Sequence, residues 1–477
     1  MPARDHDAMS GFRTILTAVL AVLPAACAGE TGTIDLALVT APGSTLLDGV
    51  QQVRLSLSDP RREAIAPRGT DGRFHLSLDV AANGPSANVT FEGVDGAGAL
   101  IAYGCSGLLP IAAIDADVAI YVAAPGTLAE APIALDRPRA DAGTAAFAFG
   151  VMIAGGRDRD GAASAAVDIY SVYSHQLQRG VDLPAPRRAP TVAAGVFGYA
   201  YIFGGDDATA RPTGTLWSFD TTIAPAGAYL RLIEAPALAR TGATAAAIRP
   251  EAFVITGTPP AILDGVTGLV TALPETPALT GTASSITILD PPATVAVVAG
   301  AGTGTSGLAL ITLAGVDDEQ APVGTTRTGH GAAVGDGTVT LIGGDLAGTL
   351  ATTGVRIVPA TRSYTELPAG LATPRRDAAV AQVGDVILIA GGRDATGNVL
   401  ATAEVLDATT LAHVATIPLT RARTEASAHT LASGQILVVG GVDAAGAPVA
   451  TLELFTPDPV TAFAGEPVAC GRLPVAP

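Results

Sequence analysis

The sequence predicts an all-β protein built mostly from repeated four-stranded units, and three observations carry that expectation. First, seven aliphatic runs end in a small residue followed by glycine. They are VMIAGG (151–156), YIFGG (201–205), FVITG (253–257), VAVVAG (295–300), VTLIGG (339–344), VILIAGG (386–392) and ILVVGG (436–441). Their final glycines recur every 43 to 52 residues, a period that marks a propeller or an array. Second, Arg139, Arg188, Arg240, Arg327 and Arg375 each stand 16 residues ahead of the first small residue of a pair, and Arg423 stands 17 ahead. Third, the 477 residues include 56 Gly and 34 Pro, with 48% hydrophobic but only 4% aromatic residues. The core must therefore be aliphatic and made of short strands.

The chain begins with what reads as an export signal over 1–28: an apolar run from Ile15 to Val22 behind Arg13, then LPAACAG (23–29). LPAAC resembles a bacterial lipoprotein signal, which implies lipidation of Cys27 and an outer-membrane anchor. The alternatives are ordinary cleavage after Ala28, giving a periplasmic or secreted protein, and a true start at Met9 rather than Met1. The remaining cysteines, Cys105 and Cys470, are expected to pair in an exported protein. After the N-terminus no apolar stretch approaches the roughly 20 residues of a spanning helix. The formal charge is −17, from 44 acidic and 27 basic residues, and every basic residue is arginine. The absence of lysine removes Schiff-base chemistry, and the acidity argues against nucleic acid.

Residues 31–125 have a different rhythm. Alternating runs at 33–39, 53–58, 73–80, 87–94, 99–105 and 117–123 read as a small antiparallel sandwich of immunoglobulin-like or transthyretin-like type. Residues 127–457 then form the repeats, and 458–477 a tail. In each repeat strand a starts near the arginine and strand b ends at the glycines. Strand c is a run such as TLWSFD (215–220) or AEVLD (403–407), and strand d is short, as in ATIPL (415–419). The last repeat lacks a strand d, and 127–142 repeats the d-to-a pattern of 365–378. Residues 127–135 are therefore expected to supply that strand and close the ring.

Paired glycines, a polar turn and a later strand with an acidic end resemble the kelch repeat. The resemblance implies a seven-bladed propeller that binds partners through its b–c and d–a loops. On that face the sequence gathers Arg157, Asp158, Asp160, Asp206, Asp207, Arg393 and Asp394, with Arg188, Arg240, Arg327, Arg375 and Arg423 expected near the same rim. The structural alternative is that these arginines and aspartates pair between blades and brace the ring. No metal or cofactor is expected. Asp158-Arg159-Asp160-Gly161 resembles part of a calcium loop but lacks the later bidentate acid, so a polar turn is the simpler reading.

Catalytic signatures are sparse. A copper oxidase of the kelch type needs a Tyr–Cys crosslink with histidine ligands, and no cysteine lies in the repeats. Repeated aspartate boxes, G-x-S-x-G and H-E-x-x-H are all absent. The expected function is noncatalytic recognition of a protein or glycan at the cell envelope by a monomer. The alternatives are a sugar-active isomerase, epimerase or lyase, whose acid–base residues carry no local signature, and a structural envelope protein.

Overall fold

The computed structural model describes residues 34–275, 285–288, 296–299, 308–463 and Cys470, together with the strand Ala18–Val19. Short breaks fall at 60, 73, 75, 78–85, 110–115, 313–314, 320–326, 336 and 369. Cys27 and the rest of the signal segment apart from Ala18–Val19 lie outside the described residues.

From Thr127 onward the chain forms seven four-stranded antiparallel sheets, counted here from the N-terminus. Their innermost strands are Gly143–Phe147, Thr191–Ala194, Ala245–Arg249, Ser285–Ile288, Gly331–Gly335, Ala379–Val383 and Ser427–Thr430. Each adjoins the next, and the last returns to the first, so the sheets make a closed circuit. In the seventh sheet the outer strand is Thr127–Ala134, antiparallel to Thr451–Thr456.

The hydrophobic pattern explains the radial order. Strand b has strands a and c on either side and a neighbouring sheet on both faces. Gly150–Ala154 and Val386–Ala390 are accordingly buried at every position, as continuous apolar runs should be. Outer strands such as His413–Pro418 are mostly exposed. The cores lie between sheets: Met152, Ile169, Ile202, Trp217 and Phe219 pack the first against the second. Leu388, Val405, Val438 and Phe455 join the sixth and seventh.

The glycine pairs join one sheet to the next. The N–H of Gly156, Gly205, Gly344 and Gly392 donates to the carbonyl of Arg187, Arg240, Arg375 and Arg423 respectively, at 2.8–2.9 Å. These glycines have φ between 74° and 102°, and a Cβ on Gly392 would lie 2.6 Å from the Arg376 carbonyl oxygen. Both conformation and close approach therefore require glycine.

The N-terminal unit contains two four-stranded sheets. One orders Leu76–Ser77, Ala18–Val19, Ile34–Val39 and Ala116–Tyr121; the other orders Arg62–Pro67, Gln52–Leu57, Val89–Val94 and Leu100–Cys105. Leu36, Leu55, Phe91, Val118 and Ile120 share one core between them. It is not purely antiparallel: Ile34–Val39 and Ala116–Tyr121 run parallel. The chain leaves for the other sheet between these strands and returns in its original direction, which a crossover permits and a hairpin does not. Arg62–Pro67 was not legible as a strand because it is an exposed edge carrying Arg62, Glu63 and Pro67.

Cys105 and Cys470 form a disulfide with Cα atoms 6.1 Å apart, fastening the tail to this unit. The unit rests on hairpins of the first and seventh sheets. The Ala119 N–H donates to the Tyr173 carbonyl (2.7 Å), the Tyr173 hydroxyl to the Leu108 carbonyl (2.9 Å), and Gln435 Nε2 to the Tyr121 carbonyl (3.2 Å).

Candidate functional site

The b–c turns and the lead-in to strand a lie on one face, joined by backbone bridges between Ala140 and Arg157, Arg188 and Asp206, Thr328 and Asp345, Arg376 and Arg393, and Thr424 and Val442. The arginines of the repeat do not line the surface of that face. Arg139, Arg240, Arg327, Arg375 and Arg423 are buried, at 0–7% exposure. Nη1 of Arg240, Arg327, Arg375 and Arg423 donates to the carbonyl of the first small residue of its own pair (Thr256, Gly343, Gly391 and Gly440) at 2.9–3.3 Å. The 16-residue register is this hydrogen bond.

A strand-c carboxylate completes three of these sites: Arg139–Asp168 at 2.6 Å, Arg375–Glu404 at 2.5 Å and Arg423–Glu453 at 2.6 Å. Burial pulls the arginine pKa values down, and the carboxylates oppose that shift. These arginines thus brace the first, sixth and seventh sheets from within. One position needs correction: in the second sheet the buried residue is Arg187, not Arg188. Arg187 stands 17 residues ahead of Gly204, and its guanidinium lies 4.6 Å over the ring of Trp217, the chain's one tryptophan, where other sheets place a carboxylate. Arg188, half-buried, donates to the Gly161 carbonyl.

The turn aspartates also hold structure. One oxygen of Asp158 accepts the N–H groups of Asp160 and Ala162; Asp207 does the same for Thr209 and Arg211, and Asp394 for Thr396 and Asn398. Hydroxyl and amide donors hold the Asp207 carboxyl below its ordinary range and take Asp394 to about 2. Asp206 accepts from the Thr241 hydroxyl of the next sheet. Arg393 lies 3.9 Å from Glu425, and Arg157 pairs with Asp141 at 2.5 Å. Asp158, Arg159 and Asp160 are exposed. No group of three or more metal-ligating side chains occurs among the described residues.

Sequence reasoning missed one position. Two residues after each buried arginine, the backbone turns left-handed: Asp141, Ala189, Gly242, Gly329, Asp377 and Glu425 have φ of 42–64°. Three carry carboxylates at the inner edge of this face, and burial raises the Asp377 pKa. Counting two residues on from the arginine would have found them.

A closed circuit of four-stranded antiparallel sheets is a β-propeller. Residues 374–411 match the family model described as Kelch motif, and that segment supplies the sixth sheet from the turn before strand a through strand c. Within this propeller, residues 374–411 thus carry a Kelch motif. A solved structure titled "Structure of YjhT" aligns at 12% identity with a TM-score of 0.43, over 68% of this chain and 96% of that one. No curated protein matches the chain.

Proposed function

We propose that this protein is an exported, envelope-anchored propeller that recognises a protein or glycan partner through its b–c/d–a face without catalysing a reaction. The observation that carries this reading is the division of labour among the polar residues. The buried arginines are committed to the fold, whereas Asp158, Arg159 and Asp160 stand exposed, with half-buried Arg157, Arg393 and Asp394, on hydrogen-bonded turns of one face. Rigidly held, exposed ionic side chains suit recognition, because little order remains to be imposed on binding. Export and anchoring rest on the N-terminal segment and agree with a disulfide in the folded protein.

The test is capture of partners from envelope extract by wild type and by an Arg159→Ala/Asp160→Ala/Arg393→Ala variant. We expect the variant to fold normally and lose the specific partners. Identical partner sets from both proteins would defeat the assignment of this face.

A further inference from the structure

The junction between the seventh and first sheets differs from the other well-described junctions. Elsewhere the second glycine donates to the next sheet's arginine carbonyl. Here, among the described residues, the Gly441 N–H has no acceptor and the Arg139 carbonyl no donor. A Cβ built on the first glycine lies 2.6–2.9 Å from that carbonyl at Gly155, Gly204 and Gly343, but 3.9 Å at Gly440. A cavity of about 30 Å³ fills the gap, lined by Arg139, Asp141, Glu425, Ser427 and Gly441. Arg139 also lines a groove of about 540 Å³ edged by Arg137, Pro138, Asp158, Arg159, Asp160 and Pro448.

We propose that this seam is a binding site for a neutral oligosaccharide, one of whose hydroxyls enters the inner cavity. This names the partner class for the face proposed above and rests on that reading. The inner cavity has room for a group the size of water and not for a side chain. It presents an unpaired backbone donor opposite an unpaired backbone acceptor. A hydroxyl both accepts and donates, so it can take the Gly441 N–H and give its proton to the Arg139 carbonyl or to a carboxylate. An ammonium offers no acceptor to Gly441, and a carboxylate no donor to Arg139.

The outer groove falls in the ordinary range for ligand pockets. Its planar carboxylate and guanidinium groups can each engage two neighbouring hydroxyls, while Pro138 and Pro448 offer apolar surface to the C–H side of a sugar ring. The charges are mixed in sign. Arg139 is neutralised by Asp168, and Arg137 lies 2.9 Å from Asp182, so no excess charge calls for an ionic ligand. Asp141 and Glu425 occupy a left-handed position that the third and fifth sheets fill with Gly242 and Gly329; the fold therefore does not require carboxylates there.

The test uses the full-length protein titrated with maltotriose, cellotriose and triacetylchitotriose, with amide exchange followed at Gly441 and Gly156. We expect at least one trisaccharide to bind and to slow exchange at Gly441 but not at Gly156. An Arg159→Ala/Asp160→Asn variant and a Glu425→Gln variant should each bind it at least tenfold more weakly, and Arg211→Ala should bind as wild type does. Failure of all three sugars to bind, or binding unchanged in both seam variants, overturns the proposal. If envelope proteins are captured through the same turns while no sugar binds, the face remains a recognition surface and only the glycan assignment falls. If neither is captured, both readings fall.

Discussion

At the scale of single residues, the buried arginines do the structural work that the sequence left open between rim and brace. Arg375 is enclosed with Glu404, which also accepts the Ala372 and Thr373 N–H groups. Arg375→Ala leaves that carboxylate without its cation, and breaking one side of a buried pair costs about 3–5 kcal/mol. Urea unfolding should register that loss. Arg375→Lys should not restore it, because one ammonium cannot span Gly391, Thr402 and Glu404 as the guanidinium does.

Three histidines add a pH dependence. Burial lowers His175 to about 3 and both His330 and His429 to about 4. Each is neutral in the fold but takes a proton in the unfolded chain at the ordinary histidine pKa near 6.5. Stability is therefore fully present above about pH 6.5 and declines as pH falls from there toward 4 and then 3. Melting temperature followed from pH 8 to 4 should fall below pH 6.5; a flat profile would contradict the enclosure of these rings. The arginine register was legible because it repeats. Its slip to Arg187 was not, since two adjacent arginines look alike until one of them meets Trp217.

At the scale of elements, the glycine pair and the arginine carbonyl form one joint between sheets, which explains why the two landmarks keep step in the sequence. Gly392→Ala must place a Cβ at φ 93° and against the Arg376 carbonyl. Gly397 has φ 85°, but a Cβ there meets nothing within 4 Å. The left-handed conformation alone costs roughly 1–2 kcal/mol for a residue bearing a Cβ. Gly397→Ala should lose about that much and Gly392→Ala clearly more, and equal losses in thermal unfolding would remove the close-approach argument. Strand order within each sheet was readable from apolar runs and turn residues. The parallel pairing of Ile34–Val39 with Ala116–Tyr121 was not, because strand direction leaves no mark in an alternating pattern.

At the scale of the whole molecule, the two ends of the propeller meet at the seam between the seventh and first sheets, and the N-terminal unit contacts hairpins of both. That seam lacks the glycine–arginine bond, so its closure must come from elsewhere. The closing strand Thr127–Ala134 supplies backbone pairing to Thr451–Thr456, and His429 Nε2 meets the Thr144 hydroxyl at 2.9 Å across the inner strands. Gln435 holds the Tyr121 carbonyl, and Tyr121 leads through a short turn into the closing strand. The disulfide encloses every sheet of the ring between residues 105 and 470. Both sulfur-bearing residues are buried, at 0% and 2% exposure, so it acts as a fixed clamp on the unit that carries the closing strand. Replacing both cysteines by serine should lower stability by the roughly 2–5 kcal/mol typical of a native disulfide. The more telling readout is where the protein opens. Native-state hydrogen exchange of the double variant should quicken first in 127–134 and 451–456, with the second and sixth sheets still protected. Uniform acceleration through all seven sheets would mean that the ring opens as one unit, and the seam would then have no separate strength for the clamp to supplement.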